Sequence, residues 1–170
     1  MRIAILEDDR EFAARLEHLI RQYTHHPTAI NTGDDGELVR WIDKTNEPVL
    51  FLLDIMLDNK TLGFQIAQRI YNRHNGSLIV FITAYPKKII FNAFYKIKAF
   101  TVILKNNPAV EDEIRKTISL AEQALRGKCL YIHVDKFQTL YIPYDSICFV
   151  ETIKSTNMTT LIYNRNKESN

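Results

Sequence analysis

The chain has 170 residues, of which 46% are hydrophobic and 25% are charged, and its formal net charge at pH 7 is +2. These values are typical of a globular protein with a buried core, and they exclude a protein that binds polyanions through bulk positive charge alone. No apolar stretch approaches the roughly 20 residues that span a bilayer, so we expect a cytoplasmic protein without membrane contact.

The first 126 residues alternate between strand-like and helix-like patterns. Five apolar runs predict strands at 3–6, 28–32, 49–53, 77–82 and 100–104. After each run, apolar residues recur at helical spacing, over about 9–23, 34–45, 63–70, 86–97 and 108–125. Asp9 is the expected N-cap of the first helix. Five strand–helix pairs predict an α/β fold with a doubly wound, five-stranded parallel sheet and helices on both faces.

The pattern changes after Gly127, which we expect to end the last helix as its C′ residue. Short strand-like segments follow at 128–134, 139–142, 147–153 and 160–163, with turn-forming residues between them. This spacing predicts a short, mostly antiparallel β segment. We therefore divide the chain into a domain at 1–126 and the incomplete start of a second domain at 127–170.

Polar side chains follow the predicted parallel strands at the points where ligands bind in such sheets. In open parallel sheets, the binding site lies beyond the carboxyl ends of the strands. These positions hold three carboxylates, one hydroxyl and one ammonium group, from Glu7, Asp8, Asp54, Thr83 and Lys105. A single acidic residue at a strand end is usually a solvated loop residue or a helix cap. All five together predict one functional site.

Crowded carboxylates repel each other and demand a cation, and hard oxygen ligands favour Mg²⁺. We expect Asp8, Asp54 and the backbone carbonyl of Met56 to bind the ion directly, and Glu7 to act through a water. An aspartate can attack phosphorus and form an acyl phosphate, which makes Asp54 the expected phosphoacceptor. Lys105 would neutralise charge on the phosphoryl oxygens, and the Thr83 hydroxyl would donate a hydrogen bond to one of them.

Four segments carry a resemblance to a known family: 5–9 (Ile-Leu-Glu-Asp-Asp), 51–55 (Phe-Leu-Leu-Asp-Ile), 81–84 (Phe-Ile-Thr-Ala) and 103–105 (Ile-Leu-Lys). They resemble the signature segments of the two-component receiver domain, over roughly residues 1–126. The resemblance implies a flavodoxin-like fold and a response regulator that accepts a phosphoryl group from a sensor histidine kinase. It implies a switch rather than an enzyme that turns over an external substrate.

The Glu-Asp-Asp opening and the segment 140–151 resemble the subgroup of regulators that carry a LytTR-type DNA-binding domain, which includes regulators of peptide-pheromone and bacteriocin circuits. This resemblance implies transcription control at promoter DNA. Asn157 occupies the place of a DNA-contacting residue in the first β-loop of that domain. Because a LytTR domain needs about twice the tail present here, we expect either a fragment of a longer regulator or a truncated one.

One position departs from the receiver pattern. Receivers often carry an aromatic switch residue three positions before the lysine, and here that position is Val102. We therefore expect the signal to pass mainly through Thr83 and the helix at 86–97. In the family, the face that contains this helix commonly dimerises, so we expect a homodimer after phosphorylation.

Other functions remain open at this point. A phosphatase of the haloacid-dehalogenase type usually has Asp-x-Asp at its nucleophile, but the second position here is Met56. A nucleotide-binding P-loop is absent from the sequence. The main alternative is an interaction module, a truncated receiver that titrates the kinase or a full-length regulator without binding DNA.

Overall fold

A computed structural model describes the greater part of the chain. The described residues are 1–57, 62–74, 76–84, 97, 99–127, 129–133, 139–153 and 158–163. Of the predicted helix at 86–97 they include Ile97 alone, and residues 58–61 and Asn157 also lie outside them. None of the helices in these ranges is long and apolar enough to cross a membrane.

The centre of the fold is a parallel sheet of five strands in the order β2-β1-β3-β4-β5. The strands are β1 (Arg2–Leu6), β2 (Thr28–Thr32), β3 (Val49–Leu53), β4 (Leu78–Thr83) and β5 (Thr101–Leu104). This strand order is that of the flavodoxin-like fold, in which the chain switches direction across the sheet between β1 and β3. The predicted α/β class and doubly wound architecture are confirmed.

Helices cover both faces of this sheet. The described helices are α1 (Arg10–Tyr23), α2 (Asp35–Ile42), α3 (Leu62–Arg73) and α4 (Val110–Leu125). Apolar residues of α1 and α4 share one core cluster with the sheet, and those of α2 and α3 share the other. The two clusters therefore enclose the sheet as the middle of three layers.

The central strand β3 shows why a continuous apolar run is required here. All five of its residues are buried. Leu50 and Leu52 belong to the cluster under α1 and α4, whereas Phe51 and Leu53 belong to the cluster under α2 and α3. Because successive side chains of a strand point to opposite faces, a strand that is covered on both sides must be apolar at every position.

Local hydrogen bonds set the helix ends. The Asp9 side chain accepts from the backbone N–H groups of Glu11 and Phe12, which confirms it as the N-cap of α1. Helix α2 ends at Ile42, earlier than the predicted end near Thr45. The N–H groups of Lys44 and Thr45 donate to carbonyls only three residues earlier, so the last turn tightens and leaves the α-helical pattern.

Two antiparallel strand pairs follow the parallel sheet. Strands β6 (Cys129–His133) and β7 (Thr139–Pro143) form one pair, and β8 (Ile147–Ile153) and β9 (Met158–Tyr163) form the other. Gly127 precedes them with a φ of 67°, the left-handed conformation expected of a C′ glycine. The predicted antiparallel strands are confirmed, while the division into domains 1–126 and 127–170 stays a prediction.

Candidate functional site at the carboxyl end of the sheet

The parallel sheet brings the predicted site residues to one edge. Glu7 follows β1, Asp54 follows β3, Thr83 is the last residue of β4 and Lys105 follows β5. Backbone hydrogen bonds hold the strand ends together: the N–H of Asp54 donates to the Leu6 carbonyl, and that of Lys105 to the Thr83 carbonyl, both at 2.9 Å. The positions of these side chains are thus fixed by the sheet itself.

The ammonium group of Lys105 lies between two carboxylates. Its Nζ atom is 2.7 Å from Oε1 of Glu7 and 2.6 Å from Oδ2 of Asp54. The side chain of Lys105 is 15% exposed, and those of Glu7 and Asp54 are 1% and 8% exposed. Charged hydrogen bonds that are shielded from water in this way are among the strong ones, so the three residues form one electrostatic unit.

Burial changes the acidity of Glu7. Removal from water is the main cause that raises its pKa from 4.5 to about 7, and the bonds to Lys105 only partly oppose it. Burial lowers the pKa of Lys105, but its hydrogen bonds to Asp54 and Glu7 outweigh this, and the pKa lies above the ordinary 10.5. Lys105 therefore stays charged at neutral pH.

Three carboxylates form a cluster that fits a divalent cation. Glu7, Asp8 and Asp54 each offer an oxygen atom, and these oxygens all lie within 4.8 Å of one another. Oε2 of Glu7 is buried and makes no hydrogen bond, although a buried carboxylate oxygen normally has a partner. Asp8 is exposed, so the cluster is open to solvent on its side. Carboxylate oxygens are ligands of hard divalent cations such as Mg²⁺.

Met56 lies at the Asp54 carboxylate, whereas Thr83 and Val102 lie in the neighbouring strands β4 and β5. The N–H of Met56 donates to Oδ1 of Asp54 at 3.2 Å, so the backbone after β3 orients the carboxylate; the predicted role of the Met56 carbonyl stays a prediction. Thr83 is completely buried. Val102 is half-buried and packs against the core cluster under α2 and α3, which places this aliphatic residue against the same core as β4.

Two further residues contribute to the site and were not predicted from the sequence. A Cβ atom on Gly63 would lie 2.0 Å from the carbonyl oxygen of Asp54, so only glycine permits α3 to begin so close to the acidic loop. Phe12 places its ring 4.9 Å from Nζ of Lys105. Phe12 lies within the helical pattern predicted over 9–23, and helical spacing alone does not distinguish a site residue from a core residue.

Known proteins resemble this chain in sequence and in fold. Over 184 aligned positions, the chain is 26% identical to the accessory gene regulator protein A of Staphylococcus aureus (strain N315), covering 99% of this chain and 76% of the relative. The response regulatory domain of protein mrkE from Klebsiella pneumoniae superposes with a TM-score of 0.65 and 23% identity, covering 75% of this chain and 99% of that chain.

A DNA-binding response regulator of the LuxR family from Staphylococcus aureus superposes with a TM-score of 0.60 and 19% identity, over 69% of this chain and 95% of that chain. These structural matches show the same fold. The model of the response regulator receiver domain matches residues 3–119. Because this match covers more than half of the sequence, the chain belongs to the response regulator receiver domain family.

Proposed function

We propose that this protein is a phosphorylation switch in which Asp54 accepts a phosphoryl group from a sensor histidine kinase in a Mg²⁺-dependent reaction. The observation that carries the proposal is the position of the Lys105 ammonium, which contacts both Glu7 and Asp54 beside the exposed carboxylate of Asp8. An aspartate that served only as a helix cap or a solvated loop residue would not need a buried lysine and two further carboxylates around it.

The proposed reaction is a direct transfer. One carboxylate oxygen of Asp54 forms a bond to phosphorus, while the bond between phosphorus and the kinase imidazole nitrogen breaks and its electron pair leaves with the imidazole. Lys105 already lies at the Asp54 carboxylate, where it can neutralise negative charge on the transferred oxygens. Met56 holds the other carboxylate oxygen through its N–H, so the nucleophile is oriented before the donor arrives.

Asp8 and Asp54, with Glu7 acting through a water and the backbone carbonyl of Met56, are the groups proposed to hold the Mg²⁺ ion. When bound, the ion offsets the mutual repulsion of these carboxylates and the charge on the phosphoryl group. The unpartnered Oε2 of Glu7 supports this assignment.

Thr83 and the dimer are proposed to give the output of the switch. We infer that the Thr83 hydroxyl donates to a phosphoryl oxygen and passes the signal toward the segment that follows β4, and that the phosphorylated protein forms a homodimer. Light scattering with and without a phosphoryl mimic measures this directly. A rise from monomer to dimer mass is expected, and monomer in both conditions would contradict it.

Transcription control in the cytoplasm is the proposed outcome. The relative from Staphylococcus aureus is named as a gene regulator, and the LytTR resemblance of the segment 140–151 supports promoter DNA as a partner, with Asn157 as one contact. Gel retardation of promoter fragments by the phosphorylated protein tests this. Phosphoryl uptake without any retardation would instead favour the interaction module that titrates the kinase or a full-length regulator.

The decisive experiment is phosphoryl uptake from a small-molecule donor, followed by intact mass with and without Mg²⁺. We expect one phosphoryl group on the wild-type protein only when Mg²⁺ is present, and none on Asp54→Ala. The matched control is Asp112→Ala, because Asp112 is an exposed aspartate on the first turn of α4; it should behave as the wild type. A folded wild type that takes up no phosphoryl group would refute the proposed function.

A further inference from the structure

Among the described residues, Phe12 is a third neighbour of the Lys105 ammonium group. The ring centroid is 4.9 Å from Nζ, within the roughly 6 Å over which an aromatic face attracts a cation. The other two neighbours are the carboxylates of Glu7 and Asp54. Two of the three N–H donors of the ammonium therefore bond to carboxylates. The face of an uncharged ring lies beside the same ammonium group.

The position of Phe12 is fixed by the loop that also carries the acidic residues. Its backbone N–H donates to the Asp9 side chain at 3.1 Å, and the N–H of Asp9 donates to Oε1 of Glu7 at 3.2 Å. That same Glu7 oxygen accepts from Lys105. The Phe12 ring is partly buried and packs against the core cluster under α1 and α4. The ring is thus held on one side by the core and faces the lysine on another.

We propose that Phe12 is a positioning residue that holds the Lys105 ammonium in place while its partner Asp54 is phosphorylated. This inference rests on the proposed function of Asp54. Formation of the acyl phosphate removes the carboxylate charge of Asp54 that Lys105 contacts in the resting state and brings phosphoryl oxygens in its place, so the ammonium must exchange one partner for another. The ring takes no part in this exchange and, like the carboxylate of Glu7, keeps its attraction to the ammonium throughout.

Aromatic and aliphatic replacements separate this role from simple core packing. Phe12→Leu keeps an apolar side chain in the helix and removes the π face, while Phe12→Tyr keeps the face. The control is Tyr23→Leu, which makes a similar replacement at the last residue of the same helix, at the opposite end of the sheet from Lys105.

The first readout is the rate of phosphoryl uptake from a small-molecule donor with Mg²⁺, measured by intact mass. We expect Phe12→Leu to slow uptake about fivefold, which corresponds to an attraction at the lower end of the range for cation–π pairs. Phe12→Tyr and Tyr23→Leu should stay within about twofold of the wild type, since attractions of this kind differ little between the two rings. Equal rates for Phe12→Leu and the wild type would overturn the proposal.

The second readout is the NMR chemical shift of the Lys105 ε-methylene protons, assigned by comparison with Lys105→Arg. A ring face above the ammonium shifts these protons upfield, and we expect the shift to be lost in Phe12→Leu and kept in Phe12→Tyr. A shift that persists in Phe12→Leu would overturn the proposal, as would slow uptake in Phe12→Tyr with the shift retained.

The two readouts also separate this proposal from the function on which it rests. If the wild type takes up no phosphoryl group, the proposed function fails, and the role of Phe12 in transfer fails with it. If the wild type is phosphorylated and Phe12→Leu matches it in both readouts, the function stands and the positioning role alone is refuted.

Discussion

The two ends of the parallel sheet carry similar charged pairs in different surroundings. At the carboxyl end, Lys105 contacts Glu7 and Asp54, which are almost completely buried. At the opposite end, Arg2 pairs with Glu47 at 3.1 Å, but these side chains are 47% and 65% exposed. Ion pairs in water contribute little to stability, whereas buried charges are costly unless each has a partner.

This difference agrees with the proposed role of the carboxyl end in phosphoryl transfer. Desolvation there raises the pKa of Glu7 to about 7, which means that ionised Glu7 is held at a cost in free energy. In the proposed reaction, a small cation or a phosphoryl group would meet charges there that solvent screens only weakly. The exposed pairs at the other end carry no comparable cost.

The largest expected effect is on the free energy of unfolding. It is seen by comparing an alanine substitution of one glycine at each end of the sheet. Gly63→Ala should lower the free energy of unfolding by about 3 kcal/mol, because the new Cβ would overlap the Asp54 carbonyl oxygen. Gly76, in the turn before β4, has open space around it and a φ of 91°, so Gly76→Ala should cost about 1 kcal/mol through backbone strain alone. Urea unfolding measures both, and equal losses would contradict the close approach at Gly63.

The next effect is the pH dependence caused by Glu7. A carboxyl whose pKa is higher in the folded state stabilises the fold below its ordinary pKa, and this contribution is lost as the pH rises through the folded value. Between pH 4.5 and about 7 the wild type should therefore lose about 2 kcal/mol of stability that Glu7→Gln does not lose.

Urea unfolding at pH 5 and pH 8, with a chelator present, gives the comparison. Glu47→Gln is the matched control, because Glu47 is an exposed glutamate in an ion pair at the other end of the sheet. Its pH dependence should follow that of the wild type. Parallel curves for Glu7→Gln and the wild type would mean that burial does not change the acidity of Glu7.

A smaller effect is expected from metal binding. Mg²⁺ at ten times its dissociation constant should stabilise the wild type by about 1.4 kcal/mol, because ligand that binds only the folded state shifts the unfolding equilibrium. Asp8→Asn should lose most of this gain, since Asp8 belongs to the carboxylate cluster. Asp112→Asn is the control. Thermal unfolding with and without Mg²⁺ measures this stabilisation. If Mg²⁺ raises the unfolding temperature of Asp8→Asn as much as that of the wild type, Asp8 is not a ligand.

The smallest effect on the free energy of unfolding is expected at the opposite end of the sheet, where the charged pairs are exposed to solvent. Arg126 pairs with Glu122 at 2.5 Å on the last turns of α4, and its side chain is 58% exposed. Arg126→Gln should change the free energy of unfolding by less than about 0.5 kcal/mol. Lys105→Gln, the same kind of change at the carboxyl end, should cost about 2 kcal/mol because it leaves two buried carboxylates without their cation. Similar losses of unfolding free energy in the two variants would mean that charged pairs at the two ends of the sheet contribute equally to stability.

The sequence by itself determined the elements and the residues at the strand ends. Continuous apolar runs such as Val49–Leu53 mark strands buried on both faces, because any polar residue there would lose its water without gaining a partner. Asp9 as an N-cap and Gly127 as a C′ residue follow from local backbone chemistry. These signals depend on neighbours in the chain, so they are readable without the fold.

The sequence predicted that Glu7 and Lys105 share one site, but only the tertiary structure decided which of their atoms make contact and which other residues lie beside them. Oε1 of Glu7 and Nζ of Lys105 come from residues 98 positions apart, and the ring of Phe12 and the Cα of Gly63 approach the same site. Helical spacing indicates only that Phe12 lies on the apolar face of the first helix, since periodicity records a face of the helix and not the group opposite it. The packing of α1 and α3 against the strand ends supplied that information, and with it the electrostatic surroundings of Lys105.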